Sequence, residues 1–282
     1  MRWLAALPLW SFHLLGVVLG WAVWLFSPRF RLLSRENLAT AGFHDSRLLR
    51  RTVSEAGKGV LELIPVWFRP QADAAGLVRE MEGTSIIEEA KAAGRGIIFV
   101  TPHLGCFEVT AQWYTQHCGP MTALFSPPKR GLMAGLIASG RGKPGLRLAA
   151  PDLSGIRALY RALRAGEAVG ILPDQTPGRG EGEWAPFFGR PAYTMTLVQR
   201  LADKTGARIV LAYAERLPWG RGYRGVVRDM PARRPGEGTT GHLNRALEEL
   251  IRECPAQYLW SYNRYKVPAG VQAPGSAGTA ES

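Results

Sequence analysis

Between Trp3 and Pro28 the chain carries no Asp, Glu, Lys or Arg, and His13 is the only titratable side chain in that stretch. As a helix, residues 4–26 rise about 34 Å at ~1.5 Å per residue, enough to cross a hydrocarbon core of about 30 Å with modest tilt. Trp3 at one end and Trp21 and Trp24 at the other suit the two interfacial belts of a bilayer. The run is longer than the apolar part of a signal peptide. Trp24, Leu25 and Phe26 before Ser27-Pro28-Arg29 also make a poor cleavage site. Residues 1–28 are therefore expected to form a transmembrane anchor. Arg29, Arg31 and Arg35 outnumber Arg2 on the other flank, which places the following chain on the cytoplasmic side. A buried core helix is the competing reading, disfavoured because core helices seldom exclude charge from every face. Gly16-x-x-x-Gly20 offers a helix-pairing face, although one such match is weak by itself.

After the anchor the texture becomes that of a folded domain. The chain has 282 residues, of which 46% are hydrophobic, which excludes global disorder. Residues 29–93 read as helical, with Leu48, Leu49, Val53, Val60, Leu61 and Ile64 at three-, four- and seven-residue steps. Residues 96–101, 122–125, 168–172 and 208–213 are short apolar runs bounded by turn residues, as expected of buried strands. Helical patterns lie between them, over residues 108–116, 153–164 and 194–204, and residues 239–252 form a late helix. Strands alternating with helices predict an α/β domain over residues 29–267, with a largely parallel sheet flanked by helices. Residues 222–227 read as an edge strand. Residues 268–282, rich in Ala, Gly and Pro, read as a disordered tail.

In such sheets reactive residues collect beyond the carboxyl ends of the strands. Two strand ends carry unusual polar residues: Thr101-Pro102-His103-Leu104-Gly105-Cys106-Phe107-Glu108, and Leu172-Pro173-Asp174-Gln175-Thr176. On one straight helix His103 and Glu108 would lie some 140° apart, at about 100° per residue, and would not meet. They can meet if His103 lies in the turn after the strand and Gly105 lets the chain bend into a helix. Glu108 in the first turn would then orient the imidazole, leaving the other ring nitrogen as a general base. Asp174 reads either as a turn cap or as a member of the site, the latter favoured by its strand-end position.

Charge narrows the class of partner. The formal charge is +12, which calls for an anionic partner. Between Glu108 and Asp152 there is no acidic residue, yet Lys129, Arg130, Arg141, Lys143 and Arg147 occur among Gly, Pro and aliphatic residues. That mixture suits a phosphate-bearing lipid headgroup, which Arg can hold in a bidentate fork. Nucleic acid is disfavoured, because no aromatic platforms interleave with the bases. Cys106, Cys118 and Cys254 are too few and too scattered for a disulfide framework or a zinc site, so no metal is expected. A Gly-x-Ser-x-Gly elbow and a Walker-type phosphate loop are both missing, which disfavours a serine hydrolase and an NTPase.

The string from Thr101 to Glu108 resembles the His-x4-Asp/Glu motif of glycerolipid acyltransferases. Leu172-Pro173-Asp174-Gln175-Thr176, Pro186-Phe187-Phe188-Gly189-Arg190-Pro191-Ala192 and the ending Pro255-Ala256-Gln257-Tyr258-Leu259-Trp260-Ser261-Tyr262-Asn263-Arg264-Tyr265-Lys266 resemble the late acyltransferases of lipid A biosynthesis. The resemblance implies a glycerolipid acyltransferase-like fold and a single-pass inner-membrane enzyme facing the cytoplasm. It would move a fatty acyl chain from acyl carrier protein to a hydroxyl on an acyl chain of a lipid A precursor, with no cofactor. It implies His103 as base, Glu108 as its partner and Arg141 as a phosphate or transition-state contact, and Asp174 matches the second motif; Lys129, Arg130 and Lys143 of the basic segment, with Asp174 and Arg264, complete the expected substrate contacts. The family often ends His-Arg-Arg-Phe-Lys where this chain has Tyr262-Asn263-Arg264-Tyr265-Lys266. Two other readings stand beside it: acyl transfer to another membrane lipid, such as a lysophospholipid or glycolipid, and a non-catalytic module that binds anionic lipid.

Overall fold

The computed structural model describes residues 2–125 and 140–274. Its centre is a seven-stranded sheet in the order β1-β9-β8-β2-β5-β3-β4. These strands are β1 (Val78–Glu82), β2 (Ile97–Val100), β3 (Met121–Leu124), β4 (Leu146–Ala149), β5 (Ala168–Ile171), β8 (Arg208–Arg216) and β9 (Tyr223–Asp229). All neighbouring strands pair in parallel except β8 and β9. The apolar runs become the interior strands because both of their faces are covered. Along β2, Ile98 and Val100 enter the core beneath the helices Leu153–Arg164, Leu197–Thr205 and Thr239–Glu253. Ile97 and Phe99 enter the opposite core, beneath Thr84–Ala92 and Phe107–His117.

Besides β4, which lies outside the expected runs, three features depart from the sequence reading. Residues 29–93 are not wholly helical: Val78-Arg79-Glu80-Met81-Glu82 forms β1, whose half-buried Val78 and Met81 are three residues apart among exposed charges and so resemble an amphipathic helix. The expected edge strand is β9, but β1 pairs outside it and β9 is interior. The third departure is a separate hairpin, β6 (Gly182–Phe187) and β7 (Arg190–Met195), which takes up the start of the helix expected from residue 194. Its two-residue turn, Phe188-Gly189, has φ of 47° and 75°, as the tight hairpin turn that follows sheet twist requires. Phe187 and Arg190 close that turn, so Pro186 and Pro191 face each other one step back, where no ladder N–H is needed.

The apolar N-terminal stretch forms the helix Leu9–Phe26. Leu9, Phe12, His13, Gly16 and Gly20 are buried, while Trp10, Leu14, Leu15, Val18, Leu25 and Phe26 are exposed. The buried stripe lies on the charged helix Ser46–Leu61, where the two backbones touch at glycines. A Cβ on Gly57 would stand 1.9 Å from the Gly16 carbonyl oxygen and 2.4 Å from the Gly20 nitrogen. Gly57→Val is therefore expected to prise the helices apart and cost about 3 kcal/mol or more. A fall of many degrees in the melting temperature in detergent checks this.

Candidate active site

β2 and β5 are neighbours in parallel register, with Val100 opposite Ile171. His103 lies three residues beyond the first and Asp174 three beyond the second, so equal turns bring them together. The Asp174 carboxylate accepts from the His103 backbone N–H at 2.9 Å through Oδ2 and holds Nδ1 at 2.9 Å through Oδ1. A carboxylate only accepts, so the hydrogen is on Nδ1, which leaves Nε2 to carry the lone pair in the neutral ring. The amide Nε2 of Gln175 lies 3.2 Å from that second nitrogen, and Phe107 packs edge-on against the ring. Asp174 is 2% exposed. Burial alone would raise its pKa, but the charge and hydrogen bonds of His103, with Arg264 behind, outweigh it and hold the carboxyl below its ordinary range. Burial, then the Asp174 charge, pushes the Tyr258 phenol well up, so this neighbour stays neutral.

Glu108 has a different partner from the expected one. It does stand in the first turn of Phe107–His117, after Gly105 has bent the chain at φ 60°. Its carboxylate, however, accepts from Arg141 through both Nε and Nη2 and from the Trp67 indole at 3.2 Å. The Arg141 guanidinium is in turn layered over the Phe125 ring, 4.2 Å from its centroid. Glu108 thus fixes a cation in the cleft that the imidazole lines and makes its own contacts with Arg141 and Trp67, while Asp174 holds the imidazole.

Other expected contacts fall elsewhere. Arg264 is buried beneath the site, donating to the Tyr193 carbonyl and Thr194 Oγ1 at 2.7 Å each. Lys143 donates to the Arg69 carbonyl at 2.5 Å and lines a separate cleft with Ala6, Phe68 and Arg69. Lys129 and Arg130 lie outside the described residues. Cys106 is buried, and burial followed by the Glu62 charge raises its thiol well above the ordinary range, as in a packed thiol and unlike an activated one.

The segment between His103 and Glu108 is held from below. Arg216 donates to the Gly105 carbonyl at 2.7 Å and makes two 2.7 Å bonds to Glu62, which also accepts from the Tyr223 hydroxyl at 3.0 Å. Burial opposes the Glu62 charge, yet Arg216 holds that carboxyl well below the usual carboxylate range. A Cβ on Gly105 would sit 1.9 Å from the Ala214 carbonyl oxygen, so only glycine fits. Sequence reasoning passed over Trp67, Glu62 and Arg216, which carry no local motif. Gln175 stood in a recognised string without a role.

Two clefts meet at Phe107, Arg141 and Leu172. One, of about 500 Å³, is lined by His103, Gln175, Ile156, Met195, Leu197 and Arg200. The other is narrower, about 70 Å³, and runs between Phe107–His117 and the sheet along Phe99, Tyr114, Met121, Gly170 and Ala212. A polarised imidazole, a fixed cation and an apolar slot are the parts needed to move an acyl group onto a hydroxyl.

The model of the bacterial lipid A biosynthesis acyltransferases matches residues 1–267. The lipid A biosynthesis lauroyltransferase of Escherichia coli K12 is 28% identical over 95% of this chain and 90% of its own length. The palmitoleoyltransferase of the same strain and a lipid A biosynthesis acyltransferase of Shigella flexneri are each 26% identical, over 91% of this chain and 85% of theirs. With that match spanning both reactive strand ends and the hairpin, the chain belongs to the bacterial lipid A biosynthesis acyltransferase family.

Proposed function

We propose that this enzyme transfers a fatty acyl chain from an acyl carrier protein thioester to a hydroxyl on an acyl chain of a lipid A precursor, at the inner membrane. The observation that carries the reading is the Asp174–His103 pair opening onto a cleft that continues into an apolar slot. Nε2 of His103 takes the proton of the acceptor hydroxyl as its oxygen attacks the thioester carbonyl. The new C–O bond forms and the C–S bond breaks, and the imidazolium returns its proton to the departing thiolate. Asp174 stabilises the imidazolium while it lasts. Arg141, steadied by Glu108, faces the negative charge that develops on the carbonyl oxygen or a phosphate of the acceptor. Arg200, which also lines the large cleft, offers a second phosphate contact. The basic surface steers the acidic carrier protein.

The test is to incubate membranes containing the enzyme with acyl carrier protein charged with different chains and with a lipid A precursor, then read product masses. Transfer to the precursor supports the reading. Unchanged precursor beside acylated lysophospholipid would transfer the assignment to another acceptor. The narrow slot adds a prediction in the same assay. The nearest atoms to a Cβ on Gly170 belong to Met121 and Ala123 and lie at ordinary contact distances, so Gly170→Val is expected to fold and fill the slot. Product chains shorter by two or more carbons are expected, because a blocked slot excludes methylenes worth about 0.8 kcal/mol each.

A further inference from the structure

The N-terminal apolar helix is long enough to cross a bilayer, but both of its ends are tied to the same folded domain. At its start, Arg69 donates to the carbonyls of Ala5 and Leu7 at 2.8 and 2.6 Å. Leu9 is buried in one core with Trp67, Cys106, Val109 and Tyr223, directly under the reactive segment. Midway, His13 lies 3.4 Å from Glu62, and Gly16 and Gly20 touch the backbone of Ser46–Leu61. Further on, Trp21 donates to Ser54 at 3.2 Å, and Arg31 donates to the carbonyls of Trp24 and Leu25. The helix it lies on carries Arg47, Arg50 and Arg51 with exposed side chains, which cannot enter hydrocarbon. Spanning would carry Arg69 across the bilayer or empty Leu9 from the core.

The opposite face of the helix is apolar from end to end, and it has a neighbour. In the β8–β9 turn, Trp219 is 89% exposed and adopts φ 61°, a conformation bulky residues rarely take. The next residue, Gly220, packs so closely on Trp10 that a Cβ there would stand 2.4 Å from its backbone. The exposed Trp219 thus stands one residue from the contact with Trp10, at the same end as Trp3. Arg79 and Arg221 are exposed at this end, and Arg29 and Arg35 at the Phe26 end, matching an anionic headgroup layer.

We propose that the helix Leu9–Phe26 lies in the plane of one leaflet, and that Trp219 of the β8–β9 turn is a second insertion point beside it. The occupant of this face is the acyl–headgroup boundary of an anionic phospholipid leaflet. A cleft lined by His103 and Leu259 is also lined by Glu55 and Val60 of the helix on which Leu9–Phe26 lies, so the site and the attachment share one supporting element. The inference rests on membrane residence as proposed above and not on the acyl donor.

Two cysteine substitutions test the topology in full-length enzyme: Ala6→Cys, which faces the Arg69 cleft, and Arg29→Cys. A membrane-impermeant maleimide is applied to intact spheroplasts and to inverted inner-membrane vesicles. In-plane attachment gives labelling of both positions in inverted vesicles and of neither in spheroplasts. Any other pattern at Ala6→Cys overturns it, with Arg29→Cys reporting vesicle orientation. For the turn, Trp219→Cys carrying an NBD fluorophore is bound to phosphatidylethanolamine–phosphatidylglycerol vesicles, with the identically treated unsubstituted protein as the blank. Blue-shifted emission and at least twofold quenching by lipids brominated at shallow positions are expected. Water-like emission would remove Trp219 from the face. Acyl transfer assayed on the same variants reports separately on the function proposed above.

Discussion

His103→Ala should lose acyl transfer by roughly 10²- to 10⁴-fold while still folding and reaching the membrane, the range a positioned general base supplies. The imidazole touches Asp174, Gln175 and Phe107 and contributes to none of the core clusters. Its loss therefore leaves the sheet intact. Turnover should fall with little change in apparent affinity for either substrate, because both clefts keep their apolar walls. Near-normal turnover in purified His103→Ala enzyme would refute the base assignment and with it the direct-transfer mechanism.

Asp174→Asn should be nearly as damaging, in the range of about 10²- to 10⁴-fold, through the tautomer and not the fold. An amide nitrogen turned toward Nδ1 donates where the carboxylate accepted, which moves the ring hydrogen to Nε2 and removes the lone pair that takes the substrate proton. A purely structural role predicts a lowered melting temperature with turnover preserved per folded molecule, so measuring both separates the cases. The folded Asp174 pKa is depressed below its ordinary 3.8. Its charge therefore contributes stability that is fully present above that value and is lost as pH falls through the lower folded one. Acid denaturation below about pH 4 should accordingly be blunted in Asp174→Asn relative to the parent enzyme.

The sequence made the reactive positions visible but not their pairing. Both turns announced themselves, because a continuous apolar run followed by Pro-His or Pro-Asp marks the carboxyl end of a buried strand. Spacing then favoured Glu108 as the partner of His103, being the nearest carboxylate along the chain. The actual partner is 71 residues away. It becomes visible only once β2 and β5 are known to be neighbours, since a parallel pairing and two equal three-residue turns place the two side chains together. The parallel sheet and its flanking helices could be read from alternation alone. β1 could not, because its half-exposed residues have no two-residue rhythm strong enough to exclude a helix. The hairpin was hidden by Pro186 and Pro191, which argue against a strand until the ladder position of each is known.

The buried pairing of Arg216 with Glu62 has a consequence for how such a chain can drift. Removing one partner alone strands a charge in the interior, at about 3–5 kcal/mol, whereas exchanging both for apolar residues of similar volume can be neutral or better. Exchanging both would also release the Gly105 carbonyl and free the reactive turn to wander. Viable descendants are thus confined to a corridor in which neither position moves, even where the outer surface is rewritten to suit a different lipid.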